Sequence, residues 1–431
     1  MADNLSNSGP DVKAILRHFA ANQHLVGAYL SVISGSAGRL VVSLVYFIIL
    51  ANTLPIADYG VFATASGTGL VLSRLLALGF SSPLYRIAVV KPQLLGVYTV
   101  GYLLASVVSL PLVALAALAI YFTFFSEDVG LITFSIVIAT ETLLWRSAEI
   151  VIIVNNGLKR FAIAAVLVIL GTAARAAAAF LFYNQSAAHD LDQWVWWYLG
   201  ANALSLVVAL CFYPRMRLRF DLRLYLRRVQ DSLAVAGAEL LFYLQSELDK
   251  MMVLSIGGPA VAGIYAIIMR VVDLTALPIR SFNTILVQKL MQSPDLLQSL
   301  RVKVFIEAGL LIVSVAGLGM LAFLLHLYPN ALGRNVAPVA ELLPLVLLVP
   351  GFRNLTEYQS ELMYARGHSW LRTLCLAVVT LSKAGLIAAL LHSLALDGQG
   401  WIVALNGVFA GLYLISAVFT YSSLRMPANR V

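Results

Sequence analysis

The chain has 431 residues, of which 61% are hydrophobic and only 12% charged. A typical soluble domain carries about 25% charged residues, and a soluble protein of this length has too much surface to cover with so few charges. With a mean hydropathy of +0.88, lipid is the main solvent, which argues against a nucleic-acid binder, a cytoplasmic enzyme and a secreted disulfide scaffold. The formal net charge is +8, and in a membrane chain such an excess belongs to cytoplasmic loops under the positive-inside rule. Cys211 and Cys375 both lie in apolar runs and are expected as small buried hydrophobes. Their spacing suggests no structural metal.

Residues 1–26 are polar, with Lys13 and Arg17 beside a short amphipathic piece. They lack the apolar segment and small-residue cleavage site of a signal peptide and are expected to form a cytoplasmic segment. A helix needs about 20 residues to cross the hydrocarbon core. In chain order the apolar runs predict twelve spans, at 27–51, 60–82, 94–122, 129–154, 161–183, 193–213, 231–256, 260–287, 304–329, 336–363, 369–395 and 400–422. Pro111 predicts a kink or tilt in the long third span. Spans seven and eight are the weakest by hydropathy, because each holds several charges.

The loops test this count. With the N-terminus inside, the cytoplasmic pieces hold Lys13, Arg17, Arg86, Lys91, Lys159, Arg160, Arg215, Arg217, Arg219, Arg223, Arg227, Arg228, Lys289, Arg301, Lys303, Arg366, Arg425 and Arg430, which makes 18 basic residues. The opposite loops hold one, Arg334, together with Asp58, Glu127, Asp128, Asp190, Asp192 and Asp397. That asymmetry supports an even number of spans with both termini cytoplasmic. The Arg-rich stretch between spans six and seven reads as a topology anchor touching anionic lipid rather than as a nucleic-acid site.

The same stretch divides the chain. The expected organisation is a six-helix lobe at 27–213, a basic cytoplasmic connector at 214–230, a second six-helix lobe at 231–422 and a cytoplasmic tail at 423–431. Asp58-Tyr59-Gly60-Val61-Phe62-Ala63 opens span two, and Ala262-Gly263-Ile264-Tyr265-Ala266 opens span eight. Matching Gly-x-aromatic-Ala pieces at the same place in both halves point to a parallel repeat about an axis along the membrane normal. A cleft between two such bundles suits alternating access better than a pore, which is more often lined by rings of one residue type.

Charges at membrane depth are costly and usually face a cavity or one another. The first half has Arg39, Arg74, Arg146 and Arg175, with Glu141 and Glu149 on the same span as Arg146. Arg146 and Glu149 are three residues apart and can pair. The remaining arginines would leave a positive interior suited to phosphate, which a guanidinium fork binds bidentately. Span seven has Glu239, Glu247, Asp249 and Lys250; span eight has Arg270, Asp273 and Arg280, with Pro278 expected to open the helix between the last two. Arg353, Glu357 and Glu361 make one stripe on span ten. Lys383 stands in span eleven with no acidic neighbour on that span, so it must find a partner on another helix, face water or lose its proton. Glu141, Asp249 and Asp273 are the candidates for ion coupling, each weighed against a permanent salt bridge. No metalloprotease or nucleotide-loop motif is present. Every predicted outer loop is short, which disfavours a membrane polymerase or ligase that holds a sugar above the bilayer.

The run Leu50-Ala51-Asn52-Thr53-Leu54-Pro55-Ile56-Ala57-Asp58-Tyr59-Gly60-Val61-Phe62, and its echo from Gln245-Ser246-Glu247-Leu248-Asp249-Lys250 to Gly263-Ile264-Tyr265-Ala266, resemble the Wzx-type O-antigen and exopolysaccharide flippases. That polysaccharide transport family belongs to the multidrug/oligosaccharidyl-lipid/polysaccharide exporter superfamily. The resemblance implies an all-α membrane protein of the bacterial inner membrane with a MATE-like flippase fold of two six-helix lobes. It implies no enzymatic activity and no cofactor. The cargo would be an oligosaccharide repeat unit on undecaprenyl pyrophosphate, moved to the periplasmic leaflet with coupling to a proton or sodium gradient. It assigns a pyrophosphate- and sugar-binding role to Arg39, Arg74, Arg146, Arg175, Arg270, Arg280 and Lys383. Expected partners are the lipid-linked substrate, membrane lipids, a polysaccharide polymerase and a chain-length regulator, with a monomer as the default state. The alternatives are a cation-coupled small-molecule antiporter of the same superfamily, whose cationic substrates suit a positive first half poorly, the polymerase or ligase, and a scaffold in an assembly complex.

Overall fold

The computed structural model describes residues 38, 40–186, 188–292, 300–365, 367–396 and 398–426. These residues are helical throughout, with no strand among them. Twelve membrane segments form two six-helix lobes. Span one is described over Leu40–Thr53, and span two runs from Ile56 to Leu72. Leu95–Phe124, Phe161–Gln185 and Leu191–Cys211 are spans three, five and six. Leu300–Leu327, Ser369–Ser393 and Gly400–Ser423 are spans nine, eleven and twelve. Seven described helices are long and apolar enough to cross a bilayer unaided. Large apolar side chains such as Val107, Leu115, Phe305, Val313, Met320 and Val418 stand exposed on the outer faces, as a lipid-facing surface requires.

The interruptions in the other spans have local causes. Span two ends at Leu72, bends over 73–80, and continues as the helix Ser81–Val90. Inside the bend Ala77 and Leu78 both have positive φ, at 60° and 47°, a region costly for residues with a Cβ. The Ala77 N–H donates to Ser109 Oγ of span three at 2.9 Å, and Gly79 packs onto the backbone of Ser232 so closely that a Cβ would have no room. The continuous span expected at 60–82 is therefore broken; averaged over a whole span, hydropathy carries no signal of the bend. Span ten, expected at 336–363, is assembled from Ala337–Ala340, Leu343–Val346 and Val349–Ala365. Pro338, Pro344 and Pro350 fragment it, since each lacks the N–H that would continue the ladder. Pro111 leaves span three continuous.

Spans seven and eight are two helices within Leu222–Gln292, separated at Gly258, whose φ of 79° and ψ of 174° only glycine adopts readily. The first starts at Leu222, so span seven takes up the second part of the expected 214–230 connector. Helix continues through Pro278, where an opening was expected.

The two matching Gly-x-aromatic pieces meet. A Cβ on Gly60 would strike the backbone of Gly263 and Pro259, and one on Gly263 would strike the backbone of Ile56. Spans two and eight thus cross backbone to backbone near their outer ends. Beside the crossing, Asn52 Nδ2 donates to Leu332 O at 2.8 Å, and Asn335 N and Nδ2 donate to Asn52 Oδ1 at 3.0 Å and Asn52 O at 3.2 Å. This outer seam ties lobe one to the loop before span ten. Gly263→Leu is expected to force the crossing apart at about 1–3 kcal/mol, visible as a lower melting temperature in detergent. Gly309→Leu, where a Cβ meets nothing within 4 Å, should melt like the parent.

Candidate functional site

Under the outer seam two adjoining chambers lie between the lobes. The larger, of about 660 Å³, is bounded by spans one, two, four, five and six and by spans seven and eight. The smaller, of about 390 Å³, lies toward lobe two against spans ten, eleven and twelve. Leu70, Tyr243, Glu247 and Asp273 line both.

At the inner end of the large chamber, Glu149 binds two arginines. Its carboxylate is 2.9 Å from Arg74 Nη1 and 2.6 Å from Arg146 Nη1. Arg146 also reaches Ser81 Oγ at 3.2 Å and Glu239 of span seven at 3.4 Å. The Arg74 guanidinium lies over the Tyr243 ring, 4.0 Å from its centroid, a cation–π contact. The Arg146–Glu149 pair is as expected from its spacing. Arg74 and Arg146, however, are tied to carboxylates and are not spare positive charge. Because Glu239 and Tyr243 belong to span seven, this cluster also fastens the start of the second half to lobe one.

Span four changes pitch at Glu141. Leu131–Ala139 and Arg146–Gly157 are α-helical, and Thr140–Trp145 between them is a π-helical turn. Such a turn leaves carbonyls short of donors and is common at functional sites. Here Thr140 and Thr142 hydroxyls donate back to Ile136 O and Ile138 O, each at 2.7 Å, which satisfies them. Glu141 is buried and lines the large chamber. Its Oε1 accepts from Ser66 Oγ and from the Tyr198 hydroxyl, both at 2.5 Å. It forms no salt bridge among the described residues.

Two chamber cations likewise form no salt bridge among the described residues, although Arg175 feels the charge of Glu141 and shares Tyr198 with it. Arg175 of span five donates from Nε to Gly171 O at 3.3 Å and lies over Trp145, 5.4 Å from the ring centroid. Arg270 of span eight donates to Ser43 Oγ. Both line the large chamber, one from each lobe. Lys250 in the same chamber is neutralised by Glu247 at 2.6 Å.

In lobe two the solitary Lys383 has found its partner on another helix. Its Nζ is 2.6 Å from Asp249 and donates to Gln245 O at 2.9 Å. The Tyr265 hydroxyl, from the Gly-x-aromatic piece of span eight, donates to the same carboxylate at 2.7 Å. Asp249 is thus held in a permanent pair, and Lys383 is committed to it. Asp273 pairs with Arg353 of span ten at 3.1 Å, a contact that its sequence neighbours Arg270 and Arg280 did not suggest.

The large chamber therefore gathers Arg74, Arg175, Arg270, Glu141 and Asp273 of the sequence candidates. Arg146 sits behind its inner wall, and Asp249 and Lys383 join the lobe-two side. Arg39 and the Arg280 side chain lie outside the described residues. Sequence reasoning missed Ser43, Ser66, Trp145, Tyr198 and Tyr243, single polar or aromatic side chains inside apolar spans that carry no charge signal.

No protein-family model matches this sequence, and no curated protein matches it. Solved structures do match. An inward-facing multidrug resistance MATE family transporter of the MOP superfamily superposes with a TM-score of 0.62, at 14% identity, over 89% of this chain and 93% of that one. The outward-facing form of a multidrug resistance MATE family transporter gives 0.55 at 14% identity, over 92% and 95%. A MOP superfamily transporter from Pyrococcus furiosus, described with a binding pocket of reversed polarity, gives 0.56 at 14% identity, over 91% and 94%. The chain shares their fold. That fold and its apolar helices make it a multi-pass membrane protein.

The buried arginine cluster and the unpaired arginines should respond oppositely to substitution. Glu149→Ala leaves Arg74 and Arg146 without their shared carboxylate and is expected to cost about 3–5 kcal/mol, seen as lost yield or a strongly lowered melting temperature. Arg175→Ala breaks no salt bridge among the described residues, so its melting curve should stay near the parent's.

Proposed function

We propose that this protein is a flippase that carries polyprenyl-pyrophosphate-linked oligosaccharides from the cytoplasmic to the periplasmic leaflet of a bacterial inner membrane. The supporting observation is the pair Arg175 and Arg270, which reach one chamber from opposite lobes and form no salt bridge among the described residues. A pyrophosphate in hydrocarbon would be prohibitively costly. Between two guanidinium groups in a polar chamber it is sheltered and charge-matched. Its polyprenyl tail can stay in lipid outside the helices.

The transport cycle follows from the closed outer seam. With the orientation expected from the basic loops, the seam would close the periplasmic side of the chamber. An anion held by both Arg175 and Arg270 would neutralise two charges that come from opposite lobes. Its binding therefore alters the energy of lobe rotation, as alternating access requires. Glu141 is the coupling group in this reading. It is buried, held by neutral hydroxyls, and set at a π-turn beside Arg175. Gain or loss of its proton would change the charge of the chamber by one unit. Asp249 and Asp273, already tied to Lys383 and Arg353, serve as structural charges.

A second reading rests on the same Glu141 with the rings of Tyr46, Tyr59, Phe62 and Trp145. A carboxylate among aromatic rings would also suit a cationic small molecule, and the protein would then be a drug antiporter.

The test is leaflet exchange in proteoliposomes. A fluorescent undecaprenyl-pyrophosphate oligosaccharide is followed with a membrane-impermeant quencher, with and without a pH gradient. The parent is expected to speed its exchange, and Arg175→Ala and Arg270→Ala each to slow it by about tenfold or more. Transport of ethidium with no exchange of the lipid would decide for the antiporter. Glu141→Gln, which keeps the hydrogen-bonding shape, is expected to remove the response to the pH gradient while leaving exchange in its absence. An unchanged gradient response would remove Glu141 from the coupling role.

A further inference from the structure

We propose that the smaller, lobe-two chamber is a carbohydrate subsite that takes neutral or amino sugars of the cargo while its pyrophosphate lies between Arg175 and Arg270. This rests on the flippase reading. The two chambers adjoin, with Leu70, Tyr243, Glu247 and Asp273 lining both, and one elongated headgroup would extend across these shared side chains.

Their linings differ in kind. The charges that line the lobe-two chamber are matched: Glu247 by Lys250, Asp273 by Arg353, Glu361 by Arg372 and Lys383 by Asp249. A phosphate finds no cation there that is not already paired with a carboxylate. A sugar needs none, because each carboxylate keeps acceptor lone pairs for hydroxyl donors even when ion-paired. The neutral groups are complementary to hydroxyls in both senses. Thr356 gives its own proton to Phe352 O at 2.9 Å, leaving its oxygen as an acceptor. Ser360 Oγ accepts from Arg372 Nε at 3.1 Å, leaving its proton to donate. Phe242, Tyr243 and Phe409 supply ring faces. Their negative quadrupoles attract the weakly positive C–H face of a pyranose. An apolar drug would waste the carboxylates. A uronic acid would bring a charge that no unpaired cation of this lining matches.

Binding by the purified protein in nanodiscs, read from tryptophan fluorescence, separates the possibilities. The probes are farnesyl pyrophosphate, the same lipid bearing N-acetylglucosamine, and the same lipid bearing glucuronic acid. The parent is expected to bind the N-acetylglucosamine probe about tenfold more tightly than the bare one, a gain equal to two or three net hydrogen bonds. It should show no such gain for the glucuronic acid probe. Glu357→Gln and Phe409→Leu should each remove about fivefold of the affinity for the N-acetylglucosamine probe, while Arg175→Ala weakens all three. Melting curves establish that each variant is folded, and Glu357→Gln is near-isosteric if Phe409→Leu is not tolerated. Equal binding of bare and N-acetylglucosamine probes, equal gain for glucuronic acid, or lobe-two variants that discriminate between no probes would overturn the subsite while leaving the pyrophosphate site standing. Failure of the parent to bind any probe would instead remove the flippase reading, and the subsite with it.

Discussion

A charge placed at membrane depth must be matched within hydrogen-bond reach or given water. In this chain the requirement organises the interior. Glu149 draws Arg74 and Arg146 together, and Arg146 then reaches Glu239 on span seven. Asp249 holds Lys383, Asp273 holds Arg353, and Glu247 holds Lys250. Each pair joins different helices or stiffens one, so the electrostatics that would expel these side chains from lipid instead knit the bundle. Among the described residues, Arg175, Arg270 and Glu141 line the large chamber without a salt bridge.

Span seven belongs to both lobes. Its inner half is fastened to lobe one through Glu239 and Tyr243, while Gln245 and Asp249, barely two turns on, are fastened to lobe two through Lys383. A relative movement of the lobes must therefore strain or break one of these attachments, or twist the helix between them. The backbone crossing of spans two and eight is of the opposite kind, because it has no side chains to interlock. Apolar packing around it, from Phe62 against Trp194 and Tyr198 in lobe one to the buried Tyr265 and Trp401 in lobe two, forms one continuous core.

The membrane class, the twelve spans and the two lobes were legible because hydropathy and loop charge act on long windows and average over local detail. Lys383 was legible in another way: a lone cation in a helix without acids implies a partner elsewhere, and Asp249 is that partner. The repeat glycines Gly60 and Gly263 were legible as a pair, though not as a contact. Local breaks were hidden. The bend at 73–80 depends on Ser109 and Ser232 in other helices, which its own sequence cannot announce. Part of the charge balance was also hidden, since Arg74 looks spare until folding brings Glu149 to it, and the reach of Arg146 to Glu239 has no sequence signal. Single hydroxyls such as Ser66 and Tyr198 carry no signal against an apolar background until a carboxylate is placed between them.

The Gly60–Gly263 crossing has a geometric consequence. Two smooth backbones touching near the outer surface behave as a bearing, and the lobes hanging from it are levers about as long as the membrane is thick. A turn of about 15° about such a point would carry ends about 30 Å away through about 8 Å. The residues at the bearing would barely move. A fulcrum set at one surface thus converts a slight rolling of glycine on glycine into an aperture the width of a sugar at the other.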